Sequence, residues 1–170
     1  MTLSMYQASV PAFKQMLACQ TAIIDKAVAY AAAKKIEPAA LLNVRLFPDM
    51  FPFTRQIQIM CDFAKGATAR LAGAEVPSYA DTETTFDELK QRIAKTDAFI
   101  SSFKPAQFDG AETREIKLKI GGQDMQFSGK DYLVSFVLPN LYFHATTAYA
   151  ILRHSGLELG KRDFMMPPTA

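Results

Sequence analysis

Phe53-Thr54-Arg55-Gln56-Ile57-Gln58-Ile59-Met60-Cys61-Asp62-Phe63-Ala64-Lys65-Gly66-Ala67-Thr68-Ala69-Arg70-Leu71 is the stretch that decides the fold. Within it Phe53, Ile57, Met60, Ala64, Ala67 and Leu71 are spaced alternately four and three residues apart. An α-helix turns once in about 3.6 residues, so this spacing holds all six along one stripe. An apolar stripe of that kind is the seam of a helix packed in a bundle. Gly73 then supplies a C-terminal stop.

Upstream, Met5, Val10, Phe13, Leu17, Ile24, Val28 and Ala31 predict a first helix from Ser4 to Lys35. Pro11 interrupts the pattern, so it either kinks this helix or marks its true start with Ser9 as N-cap. Lys34 and Lys35 suit the negative end of the helix dipole. Pro38 to Leu42 reads as a short connecting helix with proline at its first position. Arg45 to Pro52 carries two prolines and is expected to be an ordered loop held down by Leu46, Phe47, Met50 and Phe51.

Downstream, a polar loop over Ala74 to Thr84 leads into Thr85-Phe86-Asp87-Glu88, a capping box. A third helix therefore starts at Phe86, continues through Leu89, Ile93 and Phe99 or Ile100, and ends before Pro105. From Arg114 to Phe127 the period becomes two: Glu115-Ile116-Lys117-Leu118-Lys119-Ile120, then Gly121-Gly122, then Met125-Gln126-Phe127. That predicts a β-hairpin with a glycine turn and an apolar face of Ile116, Leu118 and Ile120. A final helix spans Lys130 to His154, bent at Pro139 and closed by Gly156, with Leu133, Phe136, Val137, Asn140, His144, Thr147 and Ile151 inward. The tail Gly160 to Pro168 reads as irregular, with Phe164 and Met165 docking on the bundle or on a second subunit. The fold class expected is mainly α: an up-and-down four-helix bundle with a small hairpin inserted before the last helix.

Composition narrows the functional classes. The 170 residues fit one domain, taken as 1–170, and 49% hydrophobic with 21% charged residues is an ordinary globular balance. With 19 Lys+Arg against 17 Asp+Glu and no basic stripe, no nucleic-acid partner is expected. MTLSMYQASV lacks the pattern of a signal peptide, and the longest apolar run, Ala27 to Ala33, is far short of a membrane span. Cys19 and Cys61 read as buried thiols on neighbouring helices in a reducing compartment, so a soluble cytoplasmic protein with no membrane partner is expected.

Familiar chemistry is missing. No GxGxxG, GxxxxGK[ST], GxSxG, CxxC or HExxH occurs. The two histidines, His144 and His154, lie ten residues apart on one helix, about 15 Å at 1.5 Å rise per residue, too far to share a metal. His154 suits a dipole-neutralising role at the helix end. Asn140, His144 and Thr147 form a polar strip among Phe and Leu, and Gln58 and Asp62, one turn apart on the second helix, are placed within reach across the bundle. A carboxylate beside an imidazole would favour its charged form or orient it as a base or ligand. The same five residues also read as a hydrogen-bonded polar layer that fixes helix register.

The helix order, the opening Phe51-Pro52-Phe53-Thr54-Arg55-Gln56-Ile57-Gln58, the inserted hairpin and Pro139-Asn140-Leu141-Tyr142-Phe143-His144-Ala145-Thr146-Thr147-Ala148-Tyr149-Ala150-Ile151-Leu152-Arg153-His154-Ser155-Gly156 together resemble an uncharacterised bacterial family, DUF1993, placed beside the DinB/YfiT-like bundles. The resemblance covers essentially the whole chain. It implies a metal site of three histidines, one on the second helix and an HxxxH pair on the last, and relatives that include thiol-dependent transferases. His144 matches the second histidine of the pair, Asn140 replaces the first, and Ile59 stands at the second-helix position, with Asp62 three residues on. Two of three ligands are therefore lost, and three protein ligands is the usual requirement for a catalytic zinc. The function expected is a non-catalytic or small-ligand-binding module with a degenerate metal site: no cofactor, no metal, and Gln58, Asp62, Asn140, His144 and Thr147 as pocket candidates. The alternative is a metal- or His-dependent hydrolase or transferase using the bundle core. A homodimer is the expected assembly.

Overall fold

The computed structural model describes residues 3–167; the end of the expected tail, Pro168, lies outside them. The chain is mainly helical, with one small antiparallel sheet. Helix α1 runs Met5–Lys34, α2 Pro38–Leu42, α3 Phe53–Ala72 and α4 Phe86–Ser101. Strands β1 (Glu115–Ile120) and β2 (Gln123–Ser128) pair with Ile116 opposite Phe127 and Leu118 opposite Met125. A last helical run comprises one turn, α5 (Gly129–Asp131), a π-helical stretch at Tyr132–Val137, and α6 (Leu138–His154). A short α7, Lys161–Met165, closes the described chain.

The seam of α3 is fully buried from Phe53 through Ile57, Met60, Ala64 and Ala67 to Leu71, where α3 meets α1, α4 and α6. These residues join Phe13, Leu17, Ile24, Leu89, Ile100, Leu133 and Ile151 in one contiguous core. Each helix start has its local cause. Thr85 and Glu88 form the reciprocal capping box of α4. Ser4 and Gln7 do the same for α1, so α1 begins well before Pro11 and Ser9 is not its cap. The Ser9 hydroxyl instead donates back to the Met5 carbonyl at 2.6 Å.

The last helical run shows how a proline is accommodated. Pro139 has no N–H to donate four residues back. Just before it the helix widens, and the Leu138 N–H donates to the Leu133 carbonyl, five residues back. Two expectations are corrected, and one element is new. Leu46, Phe47 and Phe51 do not pin the 45–52 loop, being 40%, 63% and 53% exposed. The tail is not irregular but contains α7, fixed on α1 by Lys26–Asp163 at 2.7 Å and by Gln15 donating to the Met165 carbonyl. A 3₁₀ turn at Pro105–Phe108, with Phe108 buried edge-on against Tyr6, has no counterpart in the sequence reading. Among the described residues, no helix is long and apolar enough to cross a membrane.

Candidate functional site

His144 sits on α6, almost entirely buried, with its ring stacked on Phe63 of α3 (centroids 6.0 Å apart, planes 20° apart) and edge-on to its neighbour Phe143. Its Nδ1 lies 2.7 Å from Oε1 of Gln56. The Gln56 amide is oriented independently, because its Nε2 donates to the Phe51 carbonyl at 3.0 Å. Oε1 can only accept, so Nδ1 carries the imidazole proton and Nε2 is left with its lone pair. Nε2 has no hydrogen-bond partner among the described residues. Among the described residues, the side-chain atoms both sealed and unpartnered are Gln20 Oε1 and Arg92 Nε, so His144 Nε2 keeps a small contact with solvent. Burial, and then the positive charge of Arg55, hold the imidazole pKa below its ordinary value, so the ring is neutral at pH 7.

Two aromatic side chains, Phe51 and Phe143, stand 53% and 56% exposed beside this pair, Phe143 by ring contact and Phe51 through its carbonyl. Gln56 and Phe63 are seven residues apart, two helical turns, and so share the face of α3 that meets His144. That spacing was available in the sequence. The spacing alone does not single out Gln56, because both residues lie to one side of the Phe53 to Leu71 stripe and nothing local says which helix that side meets.

Of the five residues expected to line the pocket, His144 alone makes the imidazole site. Asn140 donates from its side chain to the Phe136 carbonyl at 2.7 Å, and Thr147 to the Phe143 carbonyl at 2.7 Å; each bonds its own helix. Gln58 accepts from Arg55 and donates to Glu83, and Asp62 accepts from Lys65 and Arg92. The placement of Gln58 and Asp62 opposite His144 is thus corrected: their hydrogen bonds run toward α4 and the loop before it.

Those bonds belong to a cluster that sequence reading missed. The Arg92 side chain is 1% exposed and binds Asp62 (3.0 Å), Asp81 (2.9 Å), both oxygens of Glu83, and the Ala80 carbonyl. Arg55 also reaches Asp81. Burial alone would lower the Arg92 pKa, but Glu83 and Asp62 outweigh it and raise it. This cluster fastens the loop over Ala74 to Thr84 to α3 and α4. Cys61, beside it, has its thiol pushed up to about 12 by burial, which keeps it protonated at neutral pH.

The donor set does not fit a three-ligand metal centre. Among the described residues, no group of three His, Cys, Asp or Glu side chains is placed to hold a metal ion, and the three carboxylates that do converge are bound to Arg92. Asp62 is engaged by two cations, and the Asn140 side chain by a carbonyl. What remains is a neutral imidazole, oriented by an amide, in an aromatic wall between two helices.

A mainly helical chain with a hairpin inserted before its last helix, and a buried histidine, His144, in the middle of that helix, defines the class. The chain belongs to the family described as a domain of unknown function, DUF1993, whose profile matches residues 5–165. Among solved structures it is similar to a DinB family member protein from Shewanella denitrificans, 44% identical, with 97% of this chain and 94% of that chain covered and a TM-score of 0.89. No curated protein matches the sequence.

Proposed function

We propose that this chain is a single domain, an up-and-down four-helix bundle of DinB type, acting as a non-catalytic small-ligand-binding module in which His144 is the remnant of a lost metal site. The observation that carries the reading is the Gln56–His144 pair, which spends Nδ1 on an internal hydrogen bond and leaves one open acceptor, Nε2, in an aromatic wall. One such nitrogen can orient a ligand by accepting a single hydrogen bond. It offers neither the three ligands a metal needs nor a partnered nucleophile. Asn140 and Thr147 flank His144 on α6 with their side chains bonded to their own helix, and Gln58 and Asp62 belong to the ion cluster on the α4 side. The exposed Leu46, Phe47, Phe51 and Phe143 favour a homodimer, and the near-neutral charge and absence of a spanning helix favour a soluble, cytoplasmic protein.

A second reading is favoured by one observation. A neutral imidazole with an open Nε2 has the form of a general base, as a His-dependent hydrolase or transferase would need. The two readings part on His144→Ala. A library of small polar aromatics is screened by thermal shift against wild type and variant, alongside ester and thiol-transfer assays. Ligands that stabilise wild type and lose their effect in the variant, with no turnover by either, are expected. Turnover by wild type that vanishes in His144→Ala would overturn the binding-module reading. A variant that merely melts earlier, with every ligand shift unchanged, would reduce His144 to a register-fixing polar layer. Light scattering should give a species of twice 18.8 kDa; a species of 18.8 kDa alone would end the dimer proposal.

A further inference from the structure

A cavity with a volume of about 510 Å³ lies under the hairpin, with Phe63 and Phe136 in its lining. Its floor is α3 from Asp62 to Arg70. Its walls are β1 at Leu118 to Ile120, the chain at Val76 to Tyr79, and Tyr132 and Phe136 of the π-helical stretch. The size is that of a small-molecule site, and polar and apolar groups share the lining about equally.

Those polar groups are nearly all donors. Arg70 donates through Nη1 to the Tyr132 hydroxyl at 3.1 Å, and it makes no ion pair among the described residues. The Tyr132 oxygen accepts that bond, so its own O–H remains to donate, and the hydroxyl finds no acceptor among the described residues. Lys65 is more than nine-tenths buried, paired with Asp62 at 2.9 Å and seated over the Tyr79 ring at 4.0 Å. Lys119 adds a third cation at the wall. Asp62 is the one carboxylate of the lining, and Arg92 also claims it.

Gly66 makes the guanidinium position possible. A Cβ there would stand 2.6 Å from Arg70 Nη1, so the tip of the guanidinium lies close over Gly66, where a side chain would displace it. It is held in place by a hydroxyl and by a missing side chain, not by a carboxylate. A planar fork of N–H groups without an anion is built to take one, and Phe63 and Phe136 in the same lining offer apolar contact to a ring.

We propose that this cavity binds a small aromatic carboxylate, its carboxylate on Arg70 and Tyr132 and its ring against Phe63 and Phe136. The proposal deepens the small-ligand reading but does not depend on His144, so the two fail separately. Isothermal titration calorimetry on the full chain with benzoate, phenylacetate and indole-3-acetate tests it, with indole-3-acetamide and inorganic phosphate as controls. Binding of at least one carboxylate is expected, weakened roughly tenfold or more in the neutral amide and in Arg70→Gln, since charge-assisted pairing is lost. Gly66→Ala should weaken it similarly while the melting curve stays cooperative, because only the flexible end of Arg70 must move. His144→Ala should leave the affinity unchanged. Equal affinity for the amide, unchanged binding in Arg70→Gln, binding of phosphate alone, or no binding by any carboxylate would each overturn the proposal.

Discussion

Replacing Arg92 by Met tests the buried ion cluster where its geometry is most explicit. The guanidinium contacts three carboxylates and one carbonyl, yet they are not equally shielded. Glu83 is 13% exposed, whereas Asp62 and Asp81 are 38% exposed and recover hydration when the cation goes. Hydrogen bonds to a charged group contribute about 1.5–3 kcal/mol, and breaking a buried pair costs about 3–5 kcal/mol by leaving one charge stranded. Exposed pairs are worth about 0.2–1 kcal/mol each. Glu83 therefore dominates, and the apolar Met stem offsets part of the loss. The expected destabilisation is about 3 kcal/mol, or roughly 6–12 °C in Tm for a chain of this length. Urea denaturation at pH 7 measures it, with Glu83→Gln and the double variant completing a cycle whose coupling should exceed about 1 kcal/mol. Hydrogen exchange should accelerate first over residues 74–84. A loss under about 1 kcal/mol, or exchange in that loop unchanged, would refute the assignment of the cluster as its fastening.

Three further outcomes are expected. The His144 pKa is lowered in the folded state, so the unfolded chain binds the extra proton between the folded value and about 6.5. Stability is then fully present above about pH 6.5 and falls as pH drops toward the folded value; His144→Gln should flatten that part of a Tm-against-pH curve, and an unchanged curve would contradict the burial argument. Cys19 and Cys61 are both buried and free, with their thiols pushed up, Cys61 to about 12, so a thiol reagent should label neither before denaturation; fast labelling of either in native protein would be inconsistent with this packing. Thr85→Ala removes half of the α4 capping box and should cost about 1 kcal/mol, read by thermal melting, with no change at the His144 wall.

The helices were legible because their signals are local. The Phe53 to Leu71 stripe, the Thr85–Glu88 box and the alternation at Glu115 to Ile120 each fix an element within a few residues, and each element is present. What could not be read was contact between elements. Gln58 and Asp62 looked like partners for His144 because they are polar and one turn apart. Their partners are Arg55, Glu83, Lys65 and Arg92, two of which come from α4 and the loop before it. Gln56, two residues earlier, faces α6 because the helix turns about 100° per residue and the Phe53 stripe lies between the two. The exposure of Phe47 and Phe51 was misread for a related reason: large apolar residues in a proline-rich loop suggest docking, but nothing in sequence supplies the surface to dock on.

Metal content is the measurement that bears most directly on a site reduced to one oriented imidazole. Untagged protein would be analysed by plasma mass spectrometry as purified and after incubation with zinc, nickel and manganese, beside His144→Ala. The account predicts far less than one metal per chain and no difference between wild type and variant. Near-stoichiometric metal that is lost in His144→Ala would contradict it, and would place His144 Nε2 in a working metal centre.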